Sequence, residues 1–402
     1  MRWVSKFGSV TFNQYGRELP VGGMNEKGLV VEVLLHDDTK YSPPNAKPTL
    51  NELQWVQYQL DNFESVREVI AHADDYRMES VVGQVHYFVC DRSKACAVLE
   101  HKNERLVVYT GTTLPIYALT NDSYDASVAH AKEFVGFEGS KPITAESLGS
   151  DTSLGRFLRA ATFYKESATA RGDDFFPRVV GTLDQLQQRP ETKWGIIYDP
   201  INTSIHFRTQ AHRVFKTLEH IDTYNYDCAR PVLMLDINTI YKPYLPVITV
   251  DKFLPYDPSV NERFLFTPLE GTAHTGIVNQ IAQLPQTFTC LTPVAARRVW
   301  ETGSIPSSPA PPSNERPASL TPAPSPRTEA PSVVVARPLS GLTLRAKNEL
   351  LQTRAEALVD TFVLKRVFLT YLTQNRGRTS EYLGLFPHGF ALSTKYSAIF
   401  KV

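Results

Sequence analysis

Two pairs of strand-like segments, each joined by a short turn, constrain the fold of this chain most strongly. Their apolar and β-branched side chains, separated by turn-forming residues, predict two β-hairpins. The first pair is residues 84–90 with 95–100, and the second is residues 194–198 with 204–208. Helical patterns lie in clusters of their own and do not alternate with single strands. We therefore expect a layered α+β fold.

The residues before the first hairpin predict a turn and a buried strand. Gly22-Gly23 should interrupt the chain just before a tight turn at residues 24–28, because glycine adopts positive φ at little cost. Residues 29–35 are apolar except for Glu32, which is typical of a strand that is covered on both faces.

Two helices are predicted between this strand and the first hairpin. Thr49, followed by Glu52 three residues later, has the spacing of a helix capping box. Apolar side chains then recur at helical spacing, and residues 66–70 predict a second helix. Both helices should pack on a sheet.

The composition divides the chain into a globular part and a different C-terminal part. Residues 1–267 carry the strand and helix patterns, and residues 268–304 remain unassigned. Residues 305–340 are dense in proline and serine and predict a disordered linker, because such a segment buries too little apolar area to offset its chain entropy. Residues 341–402 predict a helical segment, in which apolar side chains recur at helical spacing.

Charge and hydropathy exclude some classes of partner. The 402 residues hold 42 lysines plus arginines and 42 aspartates plus glutamates, so electrostatics offers no case for nucleic acid or an acidic membrane as partner. No apolar run approaches the roughly 20 residues of a membrane span. No signal peptide is visible, and a cytoplasmic location is the default expectation.

The four cysteines, Cys90, Cys96, Cys228 and Cys290, form no CxxC pair and no zinc-binding spacing. At this chain length a disulfide framework is not expected, so we predict reduced, buried thiols. We also predict no metal site and no cofactor.

Six segments together resemble the penicillin V acylase / choloylglycine hydrolase family of linear amide C–N hydrolases. The Gly-Met-Asn-Glu-Lys-Gly-Leu turn at residues 23–29 is the most specific. The other segments are residues 5–13, 50–55, 119–121, 155–157 and 207–209. The resemblance implies a four-layer αββα sandwich of the N-terminal-nucleophile hydrolase type over residues 1–267. It also implies that the chain is N-terminally truncated and lacks the first strands of that sandwich.

The resemblance assigns two catalytic-site residues. Asn121, in Leu-Thr-Asn, matches the asparagine that donates to the oxyanion, and Arg156, in Gly-Arg-Phe, matches an arginine of the catalytic pocket. Taken alone, Asn121 is also compatible with an ordinary turn and Arg156 with a helix surface. Asn25 and Gly28 are predicted to be structural turn residues.

The family's nucleophile, an N-terminal cysteine, has no match in this sequence. No cysteine precedes Cys90, and Leu35 stands where a second family asparagine is expected. Cys90 lies on a predicted strand and lacks a free α-amine, so a buried thiol is a better interpretation than a substitute nucleophile.

Two functions therefore stay open. The first is hydrolysis of linear amides of the N-acyl amide, penicillin V or conjugated bile-acid type, with a small-molecule amide as partner and a homo-oligomer as an option. The second is a catalytically inactive fragment or pseudoenzyme with an interaction role, because the nucleophile is missing. No nucleic acid and no membrane is expected as partner in either case.

Overall fold

The computed structural model describes eleven stretches of the chain and three short strands. The stretches are residues 1, 3–13, 19–80, 83–167, 175–187, 192–210, 212–228, 230–237, 247–256, 289–291 and 293–302. The strands are residues 334–336, 368–370 and 397–399. All statements below concern these residues.

Seventeen strands and seven α-helices are described. The strands are β1 (Ser9–Asn13), β2 (Pro20–Asn25), β3 (Val30–Leu35), β4 (Thr49–Asn51), β5 (Arg77–Glu79), β6 (Val85–Cys90), β7 (Cys96–Lys102), β8 (Arg105–Thr110), β9 (Trp194–Asp199), β10 (Ser204–Thr209), β11 (Lys216–Leu218), β12 (Leu233–Met234), β13 (Leu254–Pro255), β14 (Thr289–Leu291), β15 (Val334–Ala336), β16 (Phe368–Thr370) and β17 (Ser397–Ile399). The helices are α1 (Glu52–Asn62), α2 (Val66–Ala71), α3 (Tyr124–Ala131), α4 (Ala145–Gly149), α5 (Ser153–Ser167), α6 (Phe175–Gln185) and α7 (Pro293–Thr302). Short 3-10 turns lie at Gly111–Thr113, Ile221–Thr223 and Val250–Lys252.

Two antiparallel sheets form the centre of the fold. The first has the order β1-β2-β3-β6-β7-β8 and the second has the order β11-β10-β9-β16-β17. Both predicted hairpins are present, β6 with β7 and β9 with β10. The strand predicted to be covered on both faces is β3, which lies inside the first sheet and is buried almost throughout.

The sheets pack face to face with helices outside them. The Tyr198 hydroxyl of β9 donates to Glu32 Oε1 of β3 at 2.6 Å, and Phe12 of β1 meets the Tyr198 ring edge-on. On the other face of the first sheet, Trp55 of α1 lies against Tyr87 with 4.1 Å between ring centroids. Phe176 of α6 packs on His206 of β10. The layers are therefore helix, sheet, sheet and helix, as the predicted αββα sandwich requires.

Gly22 and Gly23 do not interrupt the chain as predicted but lie inside the buried strand β2. A Cβ at Gly22 would lie 2.3 Å from the carboxyl group of Glu32, and a Cβ at Gly23 would lie 2.5 Å from the Val10 carbonyl oxygen. The glycines are thus needed for close approach of neighbouring groups, and strand pairing outweighs their weak strand propensity.

Replacing Gly23 by alanine is expected to lower the free energy of unfolding by about 2 kcal/mol, because its methyl group would overlap strand backbone that cannot retreat. Gly149→Ala is the matched control, since a Cβ there meets nothing within 4 Å and helix propensity favours alanine. Urea unfolding of both variants measures the difference. Equal urea midpoints for the two variants would show that β1 and β2 can move apart without loss of stability.

The predicted helix cap at Thr49 is wrong by two residues. Thr49 belongs to β4, and Asn51 caps α1 through Oδ1, which accepts from the backbone N–H groups of Leu53 and Gln54 at 2.9 and 2.7 Å. Asparagine is among the strongest N-cap residues, and Gln54 completes the capping box with the Asn51 N–H. The second predicted helix is confirmed as α2.

All four cysteines are paired, which contradicts the predicted reduced thiols. Cys90 and Cys96 stand directly opposite each other in the β6–β7 pair, with Cα atoms 4.1 Å apart, and Cys228 pairs with Cys290. The prediction of reduced thiols rested on chain length. The Cys90–Cys96 disulfide depends instead on the strand register of β6 and β7, which brings the two cysteines opposite each other. Disulfides persist in oxidising compartments, so this pairing does not favour the cytoplasmic default, and the location stays a prediction.

Most of the C-terminal part lies outside the described residues. Within the predicted linker, β15 pairs with β14. Within the predicted helical segment, the described residues are the strands β16 and β17, and β16 pairs with β9. The edge of β9 offers backbone N–H and C=O groups for pairing. Over a segment as short as β16, this pairing outweighs the helical side-chain pattern. None of the described helices combines the length and apolarity needed to cross a bilayer.

Candidate active site

Asn121 lies on the short loop that leads into α3, and its backbone and side chain are both held. The Ser153 hydroxyl, at the start of α5, accepts from the backbone N–H groups of Asn121 and Asp122 at 2.9 and 2.8 Å. The side-chain Nδ2 of Asn121 donates to the Leu35 carbonyl oxygen at 2.9 Å. These contacts join the loop to the end of β3 and to the first turn of α5.

Arg156 reaches Asn121 from the first turns of α5. Its Nη2 donates to Asn121 Oδ1 at 2.7 Å, and its Nη1 donates to the Asp151 carbonyl oxygen. The residue is only 3% exposed. Gly155 permits the tight approach of α5 to the preceding loop, since a Cβ there would lie 2.6 Å from Ser150. The structure therefore brings together the two site residues that the sequence predicted.

A buried histidine–glutamate pair holds the same loop through hydrogen bonds to its backbone. His86 of β6 and Glu100 of β7 are fully buried, with Nδ1 and Oε1 2.9 Å apart. His86 Nε2 lies 2.7 Å from the Thr120 carbonyl oxygen, and Glu100 Oε1 accepts the Tyr124 backbone N–H at 2.7 Å. The pair thus holds the residue before Asn121 and the first residue of α3.

The hydrogen-bond partners assign the protons of this pair. A carbonyl oxygen only accepts, so His86 Nε2 carries a hydrogen. Burial alone would raise the pKa of Glu100, but the hydrogen bond and charge of His86, the Tyr124 N–H and Lys102 lower it to about 2. The Glu100 carboxylate thus lies beside His86 Nδ1, Lys102 and the Tyr124 N–H.

His36, just beyond β3, lies above this pair. Its ring stacks on that of His86 with 4.7 Å between centroids, and its Nδ1 lies 3.1 Å from the Asn121 carbonyl oxygen. Burial, followed by the charge of His86, lowers the pKa of His36. His36 is therefore neutral above its lowered pKa, with the Nδ1 hydrogen directed at the loop.

Potential metal-ligating atoms of His36, His86 and Glu100 lie within 4.8 Å of one another. The two rings are only 20° from parallel, so their nitrogen lone pairs do not converge on one point. Both ring nitrogens of His86 already have hydrogen-bond partners. The cluster therefore suits a hydrogen-bonded support for Asn121 better than a metal site.

The predicted turn residues lie away from this loop. Asn25 Oδ1 accepts from the backbone N–H groups of Lys27 and Leu29, and its Nδ2 donates to the carbonyl oxygens of Leu60 and Phe63. Gly28 has a φ of 85°, which favours glycine. Their contacts are those of a turn that ties β2 to the end of α1.

Comparison with known proteins shows which family this chain resembles. The sequence profile described as linear amide C–N hydrolases, choloylglycine hydrolase family, matches residues 9–171, which include Asn121 and Arg156. This part of the chain is therefore similar to the choloylglycine hydrolase family. Penicillin V acylase of Pectobacterium atrosepticum is 26% identical over 182 residues, which are 41% of this chain and 47% of that relative. The chain therefore spans about half the length of the curated relative that it matches.

The fold is similar to that of a solved penicillin V acylase. The structure of penicillin V acylase from Agrobacterium tumefaciens superposes with a TM-score of 0.52 at 20% identity, over 64% of this chain and 83% of that one. At this identity the match concerns the fold alone.

Sequence reasoning missed four residues of this candidate site. His36, His86, Glu100 and Ser153 position the Asn121 loop, and none was singled out as a site residue. A signal was present for two of them, because His86 and Glu100 lie on the two strands of one predicted hairpin. Neighbouring strands of a hairpin place such residues side by side when their register is known.

The stability of this protein is expected to fall as the pH drops below about 6.5. Burial lowers the pKa of His101 and of His206 to about 4, so both bind protons only in the unfolded chain between pH 6.5 and 4. The loss should reach about 3 kcal/mol for each histidine. Glu100, with its pKa of about 2, adds a further loss between about pH 4.5 and 2.

Chemical denaturation at pH 7, 5.5 and 4.5 measures this slope. His101→Gln should reduce the dependence of the unfolding free energy on pH, because glutamine does not titrate. His72→Gln is the control, since the His72 side chain is half-exposed. An identical slope in all three proteins would rule out burial of His101 as its cause.

Proposed function

We propose that this chain acts as a linear amide C–N hydrolase in which Asn121 binds the substrate carbonyl oxygen. The contact that carries the proposal is the 2.7 Å hydrogen bond from Arg156 Nη2 to Asn121 Oδ1. It fixes the orientation of the amide group, because Oδ1 must face the guanidinium and Nδ2 must face the other way. Nδ2 donates to the Leu35 carbonyl oxygen, and the same amide group is the donor proposed for the substrate.

The arrangement suits stabilisation of an oxyanion. A guanidinium that donates to Oδ1 polarises the asparagine amide and strengthens its N–H groups as donors. Ser153, His36 and the His86–Glu100 pair keep the loop in place, so little reorganisation is needed when charge develops on the carbonyl oxygen. The substrate class is N-acyl amides, which include penicillin V-type amides, N-acyl amino acids and conjugated bile acids.

A second candidate function is binding of linear amides without cleavage. The observation that favours it is that all four cysteines are in disulfides, so no thiol of this chain is available for attack. Asn121 and Arg156 would then recognise the amide in a pseudoenzyme with an interaction role.

One experiment separates the two functions. The purified full chain is incubated with penicillin V, an N-acyl amino acid, a glycine-conjugated bile acid and an acyl-homoserine lactone. Release of primary amine and calorimetric binding are followed in parallel. Amine release supports the hydrolase, and saturable binding without amine release supports the binding protein. No binding and no release with any of the four would contradict both.

A further inference from the structure

A small cavity at the open end of the β9–β10 hairpin has the features of an anion site. It has a volume of about 140 Å³ and lies beside the C-terminal end of α6. None of the residues that line it belongs to the candidate active site. Three cationic side chains line it: Lys193, Arg208 and Arg213.

Arg208 is the central observation, because its guanidinium is buried and incompletely neutralised. Its side chain is 7% exposed and stacks on the Phe215 ring at 4.8 Å. Its Nη2 donates to Asp184 Oδ1 at 2.8 Å. The same oxygen also accepts from Arg213 at 3.4 Å and from Gln187 at 3.0 Å. One half-exposed carboxylate thus serves two guanidinium groups, and a buried arginine charge is costly unless it is paired.

A second donor in the cavity wall lacks an acceptor. Trp194 lines the cavity and is 4% exposed, and its indole N–H is buried with no hydrogen-bond partner in the described part of the chain. A buried N–H without an acceptor is destabilising, so such groups are rare in folded proteins. An anion with several oxygen atoms would supply acceptors to this N–H and to the guanidinium groups together.

The volume of the cavity limits the size of the ligand that it can bind. A cavity of about 140 Å³ is close to one that admits a benzene-sized molecule, and it is smaller than the roughly 300–1,000 Å³ of pockets for drug-sized ligands. The C-terminal end of α6 carries partial negative charge, so attraction for an anion has to come from the guanidinium groups. Their planar, forked donors match the oxygen atoms of phosphate, sulfate and carboxylate.

We propose that the cavity formed by Trp194, Arg208 and Arg213 binds a small oxyanion, either a free ion or the anionic group of a larger molecule. The site is separate from the Asn121 loop. Its occupancy therefore does not depend on whether the chain cleaves amides.

The test is calorimetric titration of the full chain with inorganic phosphate, sulfate and acetate, at an ionic strength held constant with chloride. Saturable binding of one anion per chain is expected, and the three arms show whether tetrahedral or planar oxyanions are preferred. Arg213→Gln should weaken binding about tenfold, because it removes a charge-assisted hydrogen bond at a half-exposed position that tolerates substitution. Trp194→Phe should also weaken it.

Asp184→Asn should have the opposite effect on anion affinity. Without the Asp184 carboxylate, both guanidinium groups are available to the anion. Binding should become tighter by several-fold. Arg105→Gln, at an exposed position on β8, is the matched control for loss of one positive charge and should leave the affinity unchanged. Two results would overturn the proposal: no saturable binding of any of the three anions, or equal weakening by Arg105→Gln and Arg213→Gln.

Discussion

Replacement of Glu100 by glutamine is expected to lower the free energy of unfolding by about 3–5 kcal/mol, which is the range for removing one partner of a buried ion pair. The substitution keeps the shape of the side chain and an acceptor for the Tyr124 N–H. It removes the negative charge that faces the buried His86 ring and Lys102. Urea unfolding at pH 7 measures the change.

Two further proteins complete this experiment. Glu133→Gln breaks an exposed ion pair with Lys141 and should change the unfolding free energy very little, because solvent screens the pair. His86→Gln combined with Glu100→Gln should cost less than the sum of the two single substitutions, because the two charges then disappear together. If Glu100→Gln is no more harmful than Glu133→Gln, the pair is not charged in the folded protein.

Asn121→Asp is expected to lower kcat for an N-acyl amide by about 10²–10³-fold, the usual effect of losing one oxyanion donor. The aspartate keeps an oxygen for Arg156 but replaces the N–H donor by an acceptor. Binding of the substrate in its ground state should change less than kcat, because the lost hydrogen bond strengthens only as charge develops. Amine release under saturating substrate measures kcat.

Asn13→Asp is the matched control, since Asn13 is exposed at the end of β1. Thermal unfolding of Asn121→Asp should show one cooperative transition, because the Arg156 contact is retained. If Asn121→Asp keeps the wild-type kcat, another group stabilises the oxyanion and the role assigned to Asn121 is wrong.

The layered fold was predictable because it depends on side-chain patterns that repeat along each element. The hairpin pairs β6–β7 and β9–β10 and the helix α2 follow from such patterns. The glycines of β2 were misplaced because their role depends on what approaches them from other strands. Glu32 and Tyr198 lie 166 residues apart in the sequence, and only the packing of the two sheets brings their side chains together.

The cross-strand partners in the first hairpin could not be predicted because they depend on the strand register. A four-residue turn at 91–94 would pair Cys90 with Ala95, whereas the turn includes Ala95 and pairs Cys90 with Cys96. The Asp91 N–H bonds the Ala95 carbonyl oxygen, and Lys94 adopts a φ of 81° inside the turn. A slip of one residue changes every cross-strand partner. The disulfide and the His86–Glu100 pair both follow from the register that the structure shows.

The contacts of Asn121 and Arg156 show the limit of motif-based prediction. The motifs identified both residues, but the motifs lie 35 positions apart and contain no information on distance. The residues that support Asn121 come from β3, β6, β7 and α5, so the sequence alone could not identify the loop as a structured site.

The crystal structure of the chain with a bound N-acyl amide would test the central claim most directly. The account predicts that the substrate carbonyl oxygen lies about 2.7–3.1 Å from Asn121 Nδ2, with Arg156 still bonded to Oδ1. An amide bound elsewhere in the fold, or an Asn121 side chain turned so that its oxygen faces the substrate carbonyl, would contradict it.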